Sequence, residues 1–383
     1  MRGQWRCEWM TRMEGFELGK AKYPLDNTMT DTEIKINALL RPNIRSLKPY
    51  SSARDEFSGS AAAQVFLDAN ENSIGSPLDT DYRRYPDPQQ GVLKQAIARL
   101  KGVNPDRIFL GNGSDEAIDL LFRAFCEPGA DHAIILPPTY GMYAVQAGIQ
   151  GAEVRKAPLR PDFSPDAEVV QAATDAHSKL LFLCSPNNPT GNDLPEDFIL
   201  KMLGDFPGLV VLDEAYADFS ETPSRVALLD EFPNLVILQT LSKAWGLAGL
   251  RIGMAFAHPF IINILNKIKY PYNLNSVTTR LATEALSREN QMTANAATLL
   301  AGRARLEAAL PGIPCVQTVF PSQANFLLVR VTDADGIYQY LIGQGIVVRN
   351  RTREMHCENC LRITVGTFEE NERLIAALAN YKS

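Results

Sequence analysis

Leu209-Val-Val-Leu-Asp-Glu-Ala-Tyr216 is a short apolar run that stops abruptly in a polar cluster. Four unbroken apolar residues after Gly208 read as a strand buried on both faces, because a half-solvated strand would alternate. The same pattern recurs along the chain. Residues 107–110 run into Gly111-Asn-Gly-Ser-Asp115, residues 133–136 into Pro137-Pro-Thr-Tyr-Gly141, and residues 179–184 into Ser185-Pro-Asn-Asn-Pro-Thr-Gly191. Residues 235–238 lead to Thr240-Leu-Ser-Lys243. Helix-length segments separate these runs. The pattern predicts an α/β fold whose large domain is a mainly parallel sheet covered by helices. Ligands of such sheets bind beyond the carboxyl ends of the strands, so five polar clusters there converge on one pocket.

Helices flank the runs. Val92, Leu93, Ala96, Ile97 and Leu100 repeat with helical spacing, as do Ile118, Leu121, Phe122 and Phe125. After a long helical stretch over residues 277–310 the pattern changes. Strands are expected at 326–331, 346–349 and 361–365, with helices at 335–343 and 368–381, which makes a smaller α+β domain. The expected boundaries are an extension over 1–32, an arm over 33–75 associated with the small domain, a large domain over 76–295 and the small domain over 296–383. The arm holds one extended piece, residues 65–70. The extension shows no period, and a translational start at Met29 would account for it.

Composition narrows the possibilities. A chain of 383 residues suits two domains or three at about 150 residues each. Lys plus Arg number 38 against 44 Asp plus Glu, a net charge of −6, which argues against a nucleic-acid or anionic-membrane binder. A small anionic substrate remains open, since one local arginine cluster suffices for it. The first thirty residues mix charges with Trp5, Cys7 and Trp9, unlike a signal peptide, and no apolar run of about 18 residues exists, so no membrane span is expected. Six cysteines in a chain this long do not form a disulfide framework, and a cytoplasmic location follows as the expectation. Cys357 and Cys360 form one CxxC with no second pair, and the four histidines are dispersed, so no metal site is expected.

The polar clusters carry chemistry. Gly111 to Ser114 lies between strand and helix, where glycine permits close approach and free N–H groups attract a phosphate; the plainer reading is a tight turn capped by Ser114. Lys243 follows a strand, and in a desolvated, cation-rich site its amine has a lowered pKa and forms a Schiff base with a carbonyl. Arg251, with Thr240 and Ser242, would clamp a phosphate around it. Asp213 ends a buried strand and needs a partner there, either a structural arginine or a protonated ring nitrogen.

Together with Leu67-Asp-Ala-Asn-Glu71, Arg84-Tyr-Pro86, Pro137-Pro-Thr-Tyr-Gly-Met-Tyr143, Ala248-Gly-Leu-Arg-Ile-Gly253 and Leu361-Arg-Ile-Thr-Val-Gly366, these motifs resemble the pyridoxal-phosphate-dependent aminotransferases of fold type I. Within them the chain is similar to the histidinol-phosphate aminotransferase family, from about Asn43 to the C-terminus. The resemblance implies pyridoxal 5′-phosphate as cofactor, held covalently by Lys243, which also moves the substrate proton. It implies Asp213 at the pyridinium nitrogen, Asn188 and Tyr216 at the phenolic oxygen, and Tyr140 stacked on the ring. Ser114, Asp115, Thr240, Ser242 and Arg251 would hold the cofactor phosphate, joined by Tyr85 from the neighbouring subunit of a homodimer. Arg362 would bind the anionic end of the substrate, with Arg349 as a second candidate and Tyr50 closing over it; Arg351 and Arg353 read as a solvated basic loop. The implied reaction interconverts histidinol phosphate and 2-oxoglutarate with imidazole acetol phosphate and glutamate, with ping-pong kinetics. An aromatic amino acid aminotransferase and a phosphothreonine decarboxylase share these motifs.

Overall fold

A computed structural model describes residues 29–50 and 65–382. The reading of residues 1–28 lies outside the described residues. The large sheet has seven strands, β1 (Ile108–Asn112), β2 (His132–Ile135), β3 (Glu153–Lys156), β4 (Ser178–Cys184), β5 (Leu209–Asp213), β6 (Leu235–Thr240) and β7 (Ile252–Ala257). Their order is β1-β7-β6-β5-β4-β2-β3. Five neighbours from β6 to β3 are parallel, and β7 runs antiparallel between β1 and β6.

The apolar runs divide between two cores because side chains of a strand alternate. Leu181, Leu183, Val210, Leu212 and Ile237 face one layer, which includes Phe198, Ile199 and Met202 of the helix Glu196–Asp205. Leu180, Phe182, Leu209, Val211 and Leu238 face the other, with Ile118, Leu121, Phe122 and Phe125 of the helix Ser114–Phe125. Two strands of the large sheet escaped the sequence pattern, as did β8 (Val316–Val319) of the small one. The edge strand β3 is Glu-Val-Arg-Lys, with no fully buried residue, so it carries no apolar run. Strand β7 starts Ile-Gly-Met directly after the Arg251 motif and was absorbed into it.

The arm differs from expectation. A helix Asp31–Leu39, opened by a capping box between Thr30 and Glu33, and a short helix Pro42–Ser46 precede residue 50. Ile36 and Leu40 join the core layer around Phe125, Arg41 N–H donates to the Ala124 carbonyl at 3.0 Å, and the Arg41 guanidinium meets Glu127 at 3.1 Å. The helical part of the arm, residues 31–46, thus packs on the large sheet and not on the small domain, because its apolar residues match that helix layer. The piece 65–70 forms no strand among the described residues.

The second sheet is antiparallel, in the order β10-β11-β9-β8, from β8 (Val316–Val319), β9 (Phe326–Val331), β10 (Arg349–Asn350) and β11 (Cys360–Thr364). The long helical stretch is two helices, Ser276–Leu286 and Glu289–Ala309. The strand expected at 346–349 is shortened. Gly345 adopts φ +70° and Ile346 N–H returns to Leu341 O, so this part ends the helix Ala334–Gly343 instead of starting a strand. One face of the small sheet (Leu327, Val329, Leu361, Ile363) packs on the helices Ala334–Gly343 and Phe368–Ala379. The other face (Phe326, Leu328, Cys360, Arg362) turns toward the large sheet: Leu328 and Cys360 join its core, and Phe326 meets Tyr216 edge-on at 5.2 Å. That junction makes the cleft. No helix among the described residues is long and apolar enough to cross a membrane.

Candidate active site

The first corner of the cleft lies where β1 and β6 end and β7 begins. Gly111, Gly253 and Thr240 stand in one row across the three strands. A Cβ on Gly253 would sit 2.0 Å from Ser114 N, and one on Gly113 (φ +75°) 2.4 Å from the Arg251 guanidinium. Backbone contact thus requires glycine at 253, and the left-handed φ favours it at 113. Gly113 N–H donates to Arg251 O at 2.8 Å. The turn opens the helix Ser114–Phe125, whose first N–H groups have no acceptor within the helix. Thr240 Oγ1 lies 2.9 Å from Ser242 Oγ, and Arg251 Nη2 lies 3.6 Å from Asp115 Oδ2. The backbone N–H groups of Ser114 and Asp115 are thus brought together with Thr240, Ser242 and Arg251, as a set of donors suited to an anion.

The second corner is built at the end of β5. Asp213 is buried, 3% exposed, and desolvation pushes its carboxyl up from 3.8 to about 6. Tyr143 Oη donates to Asp213 Oδ2 at 2.7 Å and Ala215 N–H to Oδ1 at 3.0 Å. Tyr143 had no assigned role in the sequence, although it stands in the quoted Pro137–Tyr143 motif. It is fully buried, stacked on Phe182 at 4.5 Å. Tyr140, the expected ring-stacking residue, donates to Asp115 Oδ1 at 3.1 Å and lies edge-on to Tyr143.

Asn188 joins the two domains. Its Nδ2 lies 3.4 Å from Tyr216 Oη, and its carbonyl accepts from Arg362 Nη1. Tyr216 is buried, and desolvation raises its phenol pKa. Lys243 is reachable from the cleft mouth, with Nζ 5.5 Å from the Tyr216 ring centre. Desolvation and then the Arg362 charge lower its pKa, while Asp213 opposes them. A lowered pKa leaves more of the amine unprotonated, as a nucleophile requires.

Arg362 stands over the Phe326 ring at 5.3 Å. Arg349 is its direct cross-strand partner and is exposed. Arg351, expected to be solvated, has a side chain only 21% exposed, because its N–H bonds Cys360 O at 2.8 Å and carries it along the edge of β11; Arg353 is exposed. Two expected residues lie outside the cluster. Tyr85 is half-exposed and stacks on Tyr272 at 4.4 Å, with its N–H bonded to Glu71, and Tyr50 is 75% exposed at the end of the described arm. Cys357 and Cys360 are buried free thiols, and among the described residues no group of three or more His, Cys, Asp or Glu is placed to hold a metal.

The model of the family described as aminotransferase class I and II matches residues 58–378. A histidinol-phosphate aminotransferase of Bacteroides fragilis is 56% identical over 347 residues, covering 91% of this chain and 99% of that protein. The structure of the histidinol-phosphate aminotransferase of Sinorhizobium meliloti in complex with pyridoxal-5′-phosphate superposes with a TM-score of 0.72 at 26% identity, over 81% of this chain and 88% of the other. The L-threonine-O-3-phosphate decarboxylase of Porphyromonas gingivalis superposes at 0.67, also at 26% identity, over 78% and 90%. The chain belongs to the class I and II aminotransferases and, among them, to the histidinol-phosphate aminotransferase family.

Proposed function

We propose that this chain transfers the amino group of glutamate to imidazole acetol phosphate, yielding 2-oxoglutarate and histidinol phosphate, and catalyses the reverse reaction. The observation that carries this reading is the convergence of Lys243, Asp213, Asn188, Tyr216 and Arg362 from both domains on one cleft. The cofactor is pyridoxal phosphate, and the residues fit it. Asp213 is a buried carboxylate with no ion-pair partner among the described residues, which suits a protonated ring nitrogen. The glycine-lined helix terminus with Thr240, Ser242 and Arg251 suits its phosphate.

When bound, the cofactor supplies a carbonyl carbon that bonds the amino group and a ring that accepts electrons. Lys243, once its amine is free, takes the proton from the substrate Cα and returns it. Asp213 keeps the proton on the ring nitrogen, and Tyr143 holds that carboxylate in place. Tyr216 and Asn188 bind the phenolic oxygen, and Tyr140 covers the ring. Arg362 and Arg349 receive the anionic end of either substrate, since a guanidinium suits phosphate and carboxylate alike, and Tyr50 closes over them. Two substrates taking turns in one pocket give ping-pong kinetics.

The active unit is a symmetric homodimer in the cytoplasm, with Tyr85 reaching the cofactor phosphate of the neighbouring subunit. Leu67, Ile74, Leu78 and Tyr270 are exposed around the segment that carries Tyr85, an apolar surface suited to a second copy. The aromatic aminotransferase and the decarboxylase are not favoured, because relatives at 47–56% identity carry the histidinol-phosphate aminotransferase name.

An absorbance spectrum of the purified protein tests the reading. The cofactor band shifts on adding histidinol phosphate and returns on adding 2-oxoglutarate. A response confined to aromatic amino acids would refute the substrate assignment.

A further inference from the structure

The edge of the small sheet carries a third arginine on the substrate side. Arg349 pairs directly with Arg362, Asn350 with Leu361, and Arg351 N–H bonds Cys360 O, so the ladder continues one residue past β10. Side chains alternate along a strand, and Arg349, Arg351 and Arg362 therefore share one face while Leu361 and Ile363 face the small-domain core. That shared face is the one turned toward Tyr216 and the large sheet.

Charge is unbalanced there. Arg351 Nη1 meets Glu354 at 3.6 Å, and neither Arg349 nor Arg362 has an ion-pair partner among the described residues. Three guanidiniums against one carboxylate leave an excess of two positive charges. Nε of Arg351 and Nε of Arg362 are both buried without a hydrogen-bond partner among the described residues, and such donors need an acceptor. Burial and then the Arg351 charge lower the pKa of Arg362, and the same charge opposes the burial-driven rise of the Tyr216 phenol.

We propose that Arg351 is a specificity residue that selects a phosphate dianion over a carboxylate at the anion end of the cleft. The inference rests on the function proposed above and names which residue separates its two substrates. A carboxylate is planar, and one arginine fork satisfies both its oxygens. A phosphate is tetrahedral, with a third oxygen out of that plane and a second charge, and Arg351 approaches from a different strand position than Arg362.

Arg351→Gln and Arg351→Lys in the holoenzyme test this. Loss of a charged hydrogen bond predicts that Arg351→Gln raises KM for histidinol phosphate about 10- to 100-fold, with kcat and the glutamate KM within about threefold. Arg351→Lys restores part of the loss. In the wild type, KM for histidinol phosphate falls with rising pH as the phosphate completes its second ionisation near about pH 6, and that dependence flattens in Arg351→Gln. Inorganic phosphate, as a competitive inhibitor of the glutamate half-reaction, weakens by the same factor as histidinol phosphate. An equal rise in both KM values, or none, overturns the inference. A wild-type protein inactive on histidinol phosphate refutes the proposed function instead, and the inorganic-phosphate comparison then decides the role of Arg351 by itself.

Discussion

Replacing Asp213 by Asn should stabilise the cofactor-stripped protein while disabling the loaded one. The carboxyl is 3% exposed, and burial raises its pKa from 3.8 to about 6. The unfolded chain sheds this proton at lower pH than the folded one. Stability is therefore lost as pH climbs from about 4 through about 6, and the full deficit is present above that. The interval from 3.8 to about 6 corresponds to about 3 kcal/mol. Asn has the same shape without the charge: its Oδ1 can accept Ala215 N–H and its Nδ2 can donate to Tyr143 Oη, replacing both existing bonds. For a chain this long, 1 kcal/mol shifts Tm by about 1–2 °C, so Asp213→Asn should melt about 3–6 °C higher at pH 8. At about pH 4.5 the folded carboxyl is protonated while the unfolded one is mostly ionised, so the gain should shrink to about a third of its full size and vanish only well below pH 3.8. Thermal melts of stripped wild type and variant across this pH range measure it. Adding pyridoxal phosphate should reverse the order, since ligand binding stabilises the wild type by mass action and the variant lacks the counter-charge. A variant no more stable than wild type at pH 8, or equally stabilised at both pH values, would refute the argument that this carboxylate is strained by burial.

Three further outcomes follow from particular contacts. Tyr143→Phe removes the donor to Asp213 and lets desolvation raise that carboxyl further, so kcat/KM falls about 10- to 100-fold and the acid limb of the pH–rate profile moves to higher pH; an unmoved limb would reject the assigned role. Gly253→Ala places a methyl against Ser114 N and Gly113 C, opening the anion corner, and equilibrium titration with pyridoxal phosphate should show at least about 100-fold weaker binding in protein that still folds. Arg41→Ala severs the arm from Glu127 and the Arg123 carbonyl, costing about 1–3 kcal/mol of stability with KM unchanged, as melts and steady-state kinetics would show.

What could be read directly from the chain is what short-range rules encode. Unbroken apolar runs such as 209–212 declare strands buried on both faces, and the polar residues that end them declare the edge where a ligand sits. Lys243, Asp213 and Asn188 stand at those ends, so their common destination was legible before any coordinate. The edge strand β3 was not, because a strand with one solvated side needs no apolar run. Nor was the packing of the arm, which depends on what Ile36 and Leu40 meet across the chain.

Tertiary structure alone decided the partnerships. Tyr143 reaches Asp213 across 70 residues and Arg362 reaches Asn188 across 174, distances over which no sequence period carries information. Arg351 looked like one more charge in a basic loop, because its neighbours Thr352 and Arg353 mask the alternation that its pairing with Cys360 restores. The sequence by itself marked most of the residues proposed to carry the chemistry, but not Tyr143 or Arg351. The sheet register and the closing of one domain on the other determined which of them meet, because hydrogen-bond ladders and core packing bring remote residues to one face.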